Sequence, residues 1–418
     1  MVISKDKISD AYKVSAKVSK ECDLKRGLRN ADGSGIVAGV TSVGDAYGVD
    51  ADSNPIHGKL FYRNININKL VDCSFEEVVY LLMLGKLPTA EELCEFKKEL
   101  AELAVLPWDD AKKGNVMNRL SIGVLKLYGY DEKPDSVDLS DVFRHCLSLV
   151  ARFPLLVASA YRGEKVEFDP KLSVAENLLC MIRGNKNFTE NEAKLLNLAL
   201  VLHAEHGGGN NSAFSVHTLA SSGTDTFSVI AAGLGSLKGP KHGGACSAIC
   251  NMMDEIKANV KDWKDETEIY NYLAKIIKKE AGDGSGLIYG MGHAIYTMSD
   301  PRAVIFKARA KALARERGMM DEFKLYMLIE ELSPKAFLDV KGSKKPLCAN
   351  IDFYSGFLYR MLGIPEELVL PLFATARIAG WSAHRIDELV NGGRIIRPAY
   401  WDLSRKYIKG KKGVAKKK

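Results

Sequence analysis

Nowhere in its 418 residues does the chain hold an uninterrupted apolar run of the roughly 20 residues that a membrane-spanning helix needs. The most apolar stretch, Leu195 to Leu202, is broken by Asn197 and flanked by Lys194 and His203, so no membrane partner is expected. The eight cysteines, at 22, 73, 94, 146, 180, 246, 250 and 348, form no Cys-x-x-Cys, and most sit in apolar surroundings such as Leu178-Leu179-Cys180-Met181. They read as small hydrophobes in a reducing compartment. The phosphate-binding glycine motifs are missing as well. Gly33-Ser-Gly35, Gly282-Asp-Gly-Ser-Gly286 and Gly290-Met-Gly292 never extend to G-x-G-x-x-G, and no G-x-x-x-x-G-K-[ST] occurs, so neither a Rossmann nor a P-loop site is supported. No alternation of strands with helices supports a doubly wound fold, and no repeat of roughly 20–50 residues is present. Residues 1–24 alternate Lys with Asp and Glu and lack an apolar export core or an acid-free Arg-rich transit pattern, so a cytoplasmic location is expected.

Positive charge is also scarcer than the net +7 suggests. Eight cations and no acid fall between Arg405 and Lys418; removing those eight from +7 leaves the first 404 residues at −1. The segment 405–418 reads as a solvated, disordered basic tail on a near-neutral body, and no nucleic-acid partner is expected.

What is abundant is helical patterning. Ser74-Phe-Glu-Glu77, Thr89-Ala-Glu-Glu92 and Thr189-Glu-Asn-Glu192 have the form in which hydroxyl and carboxylate satisfy the orphan amides of a first helical turn. After Thr89 the apolar residues Leu93, Phe96, Leu100 and Leu103 mark one face of a surface helix. Residues 193–202 are apolar nearly all round, as in a helix at the centre of a large helical domain. Pro301 opens another helix after Asp300, and Gly318 closes it. Strand character is confined to Ile36–Val49 and Leu60–Ile67, enough for one small hairpin. The expected architecture is all-α in two domains, a large one over 1–243 and 360–418 and a small one over 244–359, with a small amino-terminal β hairpin.

Histidine sits against glycine at three places. His203-Ala-Glu205-His206-Gly-Gly-Gly-Asn210 ends the buried helix, and its two histidines share a face. A zinc site from His203, Glu205 and His206 is one reading; a helix terminus with favourable histidines is the other. His242, in Gly239-Pro-Lys-His-Gly-Gly, precedes an apolar helix whose amino-terminal dipole favours a neutral imidazole. His293 lies in Gly290-Met-Gly-His, just before Asp300-Pro-Arg302. Arg302 occupies a first helical turn, where a cation is disfavoured unless an anion binds there. In Asn350-Ile-Asp352-Phe-Tyr-Ser-Gly356 a single carboxylate stands among apolar neighbours, as suits a general base. Arg377 is a lone cation on an apolar helix face and needs an anionic partner, internal or bound. Arg397, before Pro398, ends the ordered pattern.

Taken in order, these segments resemble the citrate synthase family. The resemblance runs from about Gly35 to Pro398 and includes Phe61-Tyr-Arg63, Phe75 to Pro88, His206 to Asn210, Gly239 to Gly244, Gly290 to His293, Asp300 to Arg302, Asn350 to Gly356, Arg377 with Gly380-Trp381, and Arg397-Pro398. It implies condensation of acetyl-CoA with oxaloacetate and hydrolysis of the citryl thioester, by an enzyme of the si type. Its acyl-CoA is a co-substrate; no resident cofactor and no metal are implied. Asp352 would take a proton from the acetyl methyl, His242 would hydrogen-bond the thioester oxygen, and His293 would protonate the ketone. His206, Arg302 and Arg377 would hold oxaloacetate, with Arg397 supplied by the neighbouring subunit of a homodimer. The alternative within the family is 2-methylcitrate synthase, which uses propionyl-CoA; a metal-dependent hydrolase on His203, Glu205 and His206 is the remote one.

The sequence departs from the family pattern in two places. The basic residue that many members carry between their equivalents of His293 and Arg302 is missing, which assigns the CoA phosphates to Lys344 or Lys345. Cys348-Ala349 replaces a common Tyr-Pro. The chain also lacks room for the extra amino-terminal domain of NADH-regulated forms, so that regulation is not expected.

Overall fold

The computed structural model describes residues 25–30, 34–108, 114–342 and 346–400. The chain divides into two units, one formed by the ends, 1–40 with 396–418, and the other by Thr41–Ile395. In the first, a 3-10 turn over Arg26–Leu28 is followed by an antiparallel bridge between Arg29 and Gly35. The basic tail from Arg405 onward lies outside the described residues, as do Lys344 and Lys345.

The second unit is all-α with one small antiparallel sheet, β1 (Gly44–Val49), β2 (Pro55–Tyr62) and β3 (Ile65–Asn66), in that order. The expected first strand from Ile36 begins only at Gly44. Val37 and Val40 are β-branched but exposed, so no packing rewards pairing there. Fourteen α-helices follow among the described residues. They are α1 (Phe75–Leu84), α2 (Ala90–Leu103), α3 (Val116–Tyr128), α4 (Leu139–Arg162), α5 (Val174–Arg183), α6 (Glu190–His203) and α7 (Asn211–Ala220). Then come α8 (Thr226–Leu237), α9 (Ala245–Asn259), α10 (Glu266–Lys278), α11 (Pro301–Glu316), α12 (Met320–Lys341), α13 (Ile351–Met361) and α14 (Val369–Asn391).

The three capping boxes read from the sequence start α1, α2 and α6, and a fourth, Ser173 with Glu176, starts α5. Each satisfies two amides that would otherwise lack partners. Pro301 occupies the first turn of α11, where its missing N–H costs nothing. Phe96 and Leu100 are the buried face of α2.

Two helices are buried on nearly every side. One is α6, as its composition indicates; the other is α14, which packs against α1, α4, α6, α7 and α8. Helix α4 is long and apolar enough, by length and composition, to cross a membrane, but 83% of its most apolar window is buried in the protein core. Helices α9 to α13 form a second group, with α10 on α12 and α13 on α9 and α11. The sheet meets this group through a close approach: a Cβ on Gly58 would lie 2.4 Å from the Ser299 carbonyl oxygen, and one on Gly48 2.6 Å from that of Ile295. Only glycine lets the strands seat the 295–299 segment, and Gly58 N–H donates to Ser299 at 3.0 Å.

Candidate active site

His293 is delivered by a short glycine strap. Gly290 has φ +82°, open to glycine without strain, and a Cβ there would strike Phe353. The strap is bonded to the segment entering α13: Met291 bridges Ala349, Asn350 N–H donates to Gly290 O at 2.9 Å, and Gly292 N–H donates to Cys348 O at 2.7 Å. Asn350 then caps α13 by accepting the Asp352 amide at 3.0 Å. His293 and Asp352 are therefore built on one piece of backbone.

The His293 ring has a defined tautomer. Its Nδ1 accepts N–H groups from Ile295 at 3.0 Å and Tyr296 at 3.2 Å, so in the neutral ring the hydrogen is on Nε2. Burial and the nearby Arg302 guanidinium push its pKa down to about 4. The ring stacks on Tyr296 at 4.6 Å and meets His206 edge-on at 5.1 Å. His206 is buried, with Nε2 3.1 Å from Tyr296 Oη, and burial, then Arg302, His293 and Arg377, hold it neutral.

His242 lies in the turn before α9. It too is pushed down to about 4, by burial and then by Arg377. Its Nε2 lies 3.1 Å from Ser212 Oγ. That hydroxyl also accepts from Trp381 Nε1 at 3.1 Å and contacts Asn210 Oδ1 at 2.8 Å, so α7 and α14 fix the His242 ring from below.

The arginines differ in their partners. Arg302 has an internal anion: Asp300 accepts from its Nε at 3.0 Å and Nη2 at 2.7 Å. Asp300 also caps α11 and accepts the Ile351 amide at 3.1 Å, which ties Arg302 to the helix of Asp352. Arg377 is 1% exposed; its Nε donates to His203 O at 2.7 Å, while Nη1 and Nη2 have no partner among the described residues. Burial lowers its pKa to about 10, with Glu205 and Asp352 opposing. Asp352, half-buried, thus shares the field of Arg377. Arg397 belongs to the other unit and is exposed.

The zinc reading fails on geometry. His203 turns its Nδ1 to Ala199 O at 2.8 Å and packs its ring on Phe373 at 4.7 Å; burial takes its pKa to about 3. Glu205 instead bonds His384, 3.0 Å away, and His206 bonds Tyr296. Tyr296, Ser212 and Asp300 are site residues that the sequence reading did not weigh. Only Asp300 could have been found, as the N-cap two residues before a first-turn arginine.

Three neutral imidazoles, one carboxylate and two buried guanidinium groups are thus electrostatically linked, His242, His206 and Asp352 through Arg377 and His206 and His293 through Arg302. Such a set can bind a dianion, withdraw a proton from carbon and donate hydrogen bonds to developing oxyanions. The family model described as citrate synthase, C-terminal domain, matches residues 33–399. A citrate synthase of Haloferax volcanii is 33% identical over 394 residues, 90% of this chain and 94% of that one. A 2-methylcitrate synthase 1 of Corynebacterium glutamicum is 30% identical over 396 residues, with the same coverage of 90% and 94%. Among solved structures, the ternary complex of carboxymethyl coenzyme A and oxaloacetate with the citrate synthase of Thermoplasma acidophilum aligns with a TM-score of 0.74 at 25% identity. The alignment covers 92% of this chain and 98% of that one. The chain belongs to the citrate synthase family.

Proposed function

We propose that the protein condenses the acetyl group of acetyl-CoA with oxaloacetate and hydrolyses the resulting thioester to citrate and CoA, as a si-type citrate synthase. The observation that carries this reading is Arg377: a fully buried guanidinium whose two terminal nitrogens have no protein partner in the described residues is matched by a bound carboxylate. Arg302 and His206 supply further donors for oxaloacetate, and Arg397 of a neighbouring copy completes them in a homodimer. Lys344 or Lys345 serve the CoA phosphates.

The reaction follows from the protonation states. Asp352 takes a proton from the acetyl methyl carbon while neutral His242 hydrogen-bonds the thioester oxygen, so the enol forms without full carbanion charge. The enol carbon attacks the oxaloacetate ketone. His293, whose hydrogen is on Nε2, gives it to the ketone oxygen as that oxygen gains charge. Water then cleaves the thioester. Closure of the 244–359 region over the substrates would keep water out until that step.

Propionyl-CoA is the second candidate substrate, supported by the 2-methylcitrate synthase relative. One methylene is worth about 1–3 kcal/mol in such a pocket. Release of CoA thiol in the presence of oxaloacetate, measured as kcat/KM for both acyl-CoAs, separates the two: acetyl-CoA is expected to be preferred roughly tenfold or more. Preference for propionyl-CoA reverses the assignment, and no thiol release with either ends it.

A further inference from the structure

Behind the proposed site runs a line of four buried polar side chains that the reaction above does not use. Glu205 Oε1 lies 3.0 Å from His384 Nε2, His384 Nδ1 lies 3.0 Å from His217 Nε2, and His217 Nδ1 lies 2.8 Å from Glu388 Oε2. Glu205 and His384 are fully buried; His217 and Glu388 are nearly so, at 12% and 13%. We propose that these four residues form a proton-holding chain carrying one more hydrogen than two neutral imidazoles supply, and that His217 and His384 are positioning residues for His206.

The hydrogen count carries the first half. Three contacts in series need three hydrogens, one in each. Two ionised carboxylates bring none and two neutral imidazoles bring one each, which leaves one contact as lone pair against lone pair among largely buried groups. A third proton satisfies all three contacts. It gives one imidazolium between two carboxylates, with His384 donating at both nitrogens and His217 donating only to Glu388. Burial and then the neighbouring His384 ring hold His217 below the ordinary histidine value. The other charged or titratable groups facing the chain are Arg377, Arg385 and Asp387 of α14, and Tyr62 with Arg63 beside the sheet.

The second half rests on what Glu205 touches. Its carboxylate is sunk in a slot whose walls are Gly380 and Gly44: a Cβ on Gly380 would lie 2.3 Å from Oε2, and one on Gly44 2.7 Å from the Glu205 Cγ. Oε1 accepts the Gly207 amide as well as His384. Glu205 therefore clamps both sides of the turn on which His206 stands. If the third proton is lost, one contact becomes repulsive and the clamp loosens, so binding of a His206 ligand weakens while the reacting groups stay in place.

The placement of His206 at an oxaloacetate site rests on the function proposed above; the hydrogen count does not. The test therefore has two arms. In protein labelled with 15N-histidine, ring nitrogen shifts at pH 7 should show three N–H groups over His217 and His384, and one on His384 in His217→Gln. Two in the wild type overturn the chain, whether or not the protein turns over acetyl-CoA. In kinetics, the wild-type KM for oxaloacetate should rise about tenfold with increasing pH as the pair loses its shared proton, with kcat little changed. His217→Gln should abolish that limb. Glu388→Gln, which keeps an acceptor but removes a charge, should move it about one pH unit lower. A limb unmoved in both variants, or a loss in kcat instead of KM, overturns the positioning role.

Discussion

Asp300 holds Arg302 in a two-point ion pair, at 3.0 and 2.7 Å, across only two residues of chain at the head of α11. The pair is fully buried and lends its second oxygen to the Ile351 amide, so a single carboxylate orients the cation proposed to hold substrate and the helix of the proposed base. Asp300→Asn leaves the Arg302 charge uncompensated, which should cost about 3–5 kcal/mol of stability and raise the KM for oxaloacetate. Denaturant unfolding with parallel kinetics checks this; a wild-type midpoint would show that the pair is dispensable.

Asp352→Asn should fold normally, since Asp352 is half-buried and its backbone amide, not its side chain, receives the Asn350 cap. Oxaloacetate binding should persist while condensation drops by several orders of magnitude. Turnover within tenfold of wild type would remove Asp352 from the role of base.

Arg377→Met should separate stability from binding. In the ligand-free protein the arginine keeps two polar nitrogens out of water with no partner among the described residues, at a cost in free energy. The variant's melting temperature without ligand should therefore equal or exceed that of wild type. The rise in melting temperature that oxaloacetate induces through linkage should vanish. A persisting ligand-induced shift would place the carboxylate elsewhere.

Acid should destabilise the fold before it reaches the usual carboxylate range. His203, at about 3, and His242 and His293, at about 4, resist protonation when folded, whereas the unfolded rings take a proton near pH 6.5. Below that value the unfolded chain binds more protons, so stability falls from about pH 6.5 toward 4. Asp300, held below its ordinary value by Arg302 despite burial, adds stability above about pH 4 that is lost on further acidification. Urea midpoints across this range test the sign; a midpoint that rises on going from pH 6.5 to 5 contradicts it.

Legibility from sequence followed the range of the interaction. The capping boxes at Ser74, Thr89 and Thr189 span four residues each and could be read directly, as could the proline start of α11. Arg302 and Arg377 stood out because each violates a local rule, and the histidines because each sits against glycine. The dependence of the 295–299 segment on Gly48 and Gly58 joins residues some 240 positions apart, and no local pattern announces it. His217 and His384 are 167 apart and look, singly, like ordinary helix histidines. The effect of Arg377 on His242 is equally silent in the sequence, because Arg377 comes near only in the folded chain.

The glycine strap has a consequence for mutational coupling. Because Gly290 and Gly292 are bonded to Asn350 and Cys348, and Asp300 to Ile351, the groups His293, Arg302 and Asp352 form one mechanical block, while Arg377, His384 and Trp381 belong to the α14 framework. Double-mutant cycles within the block should be strongly non-additive, and cycles between the block and α14 close to additive in the absence of ligand. Variation on one side can then accumulate without disturbing the other.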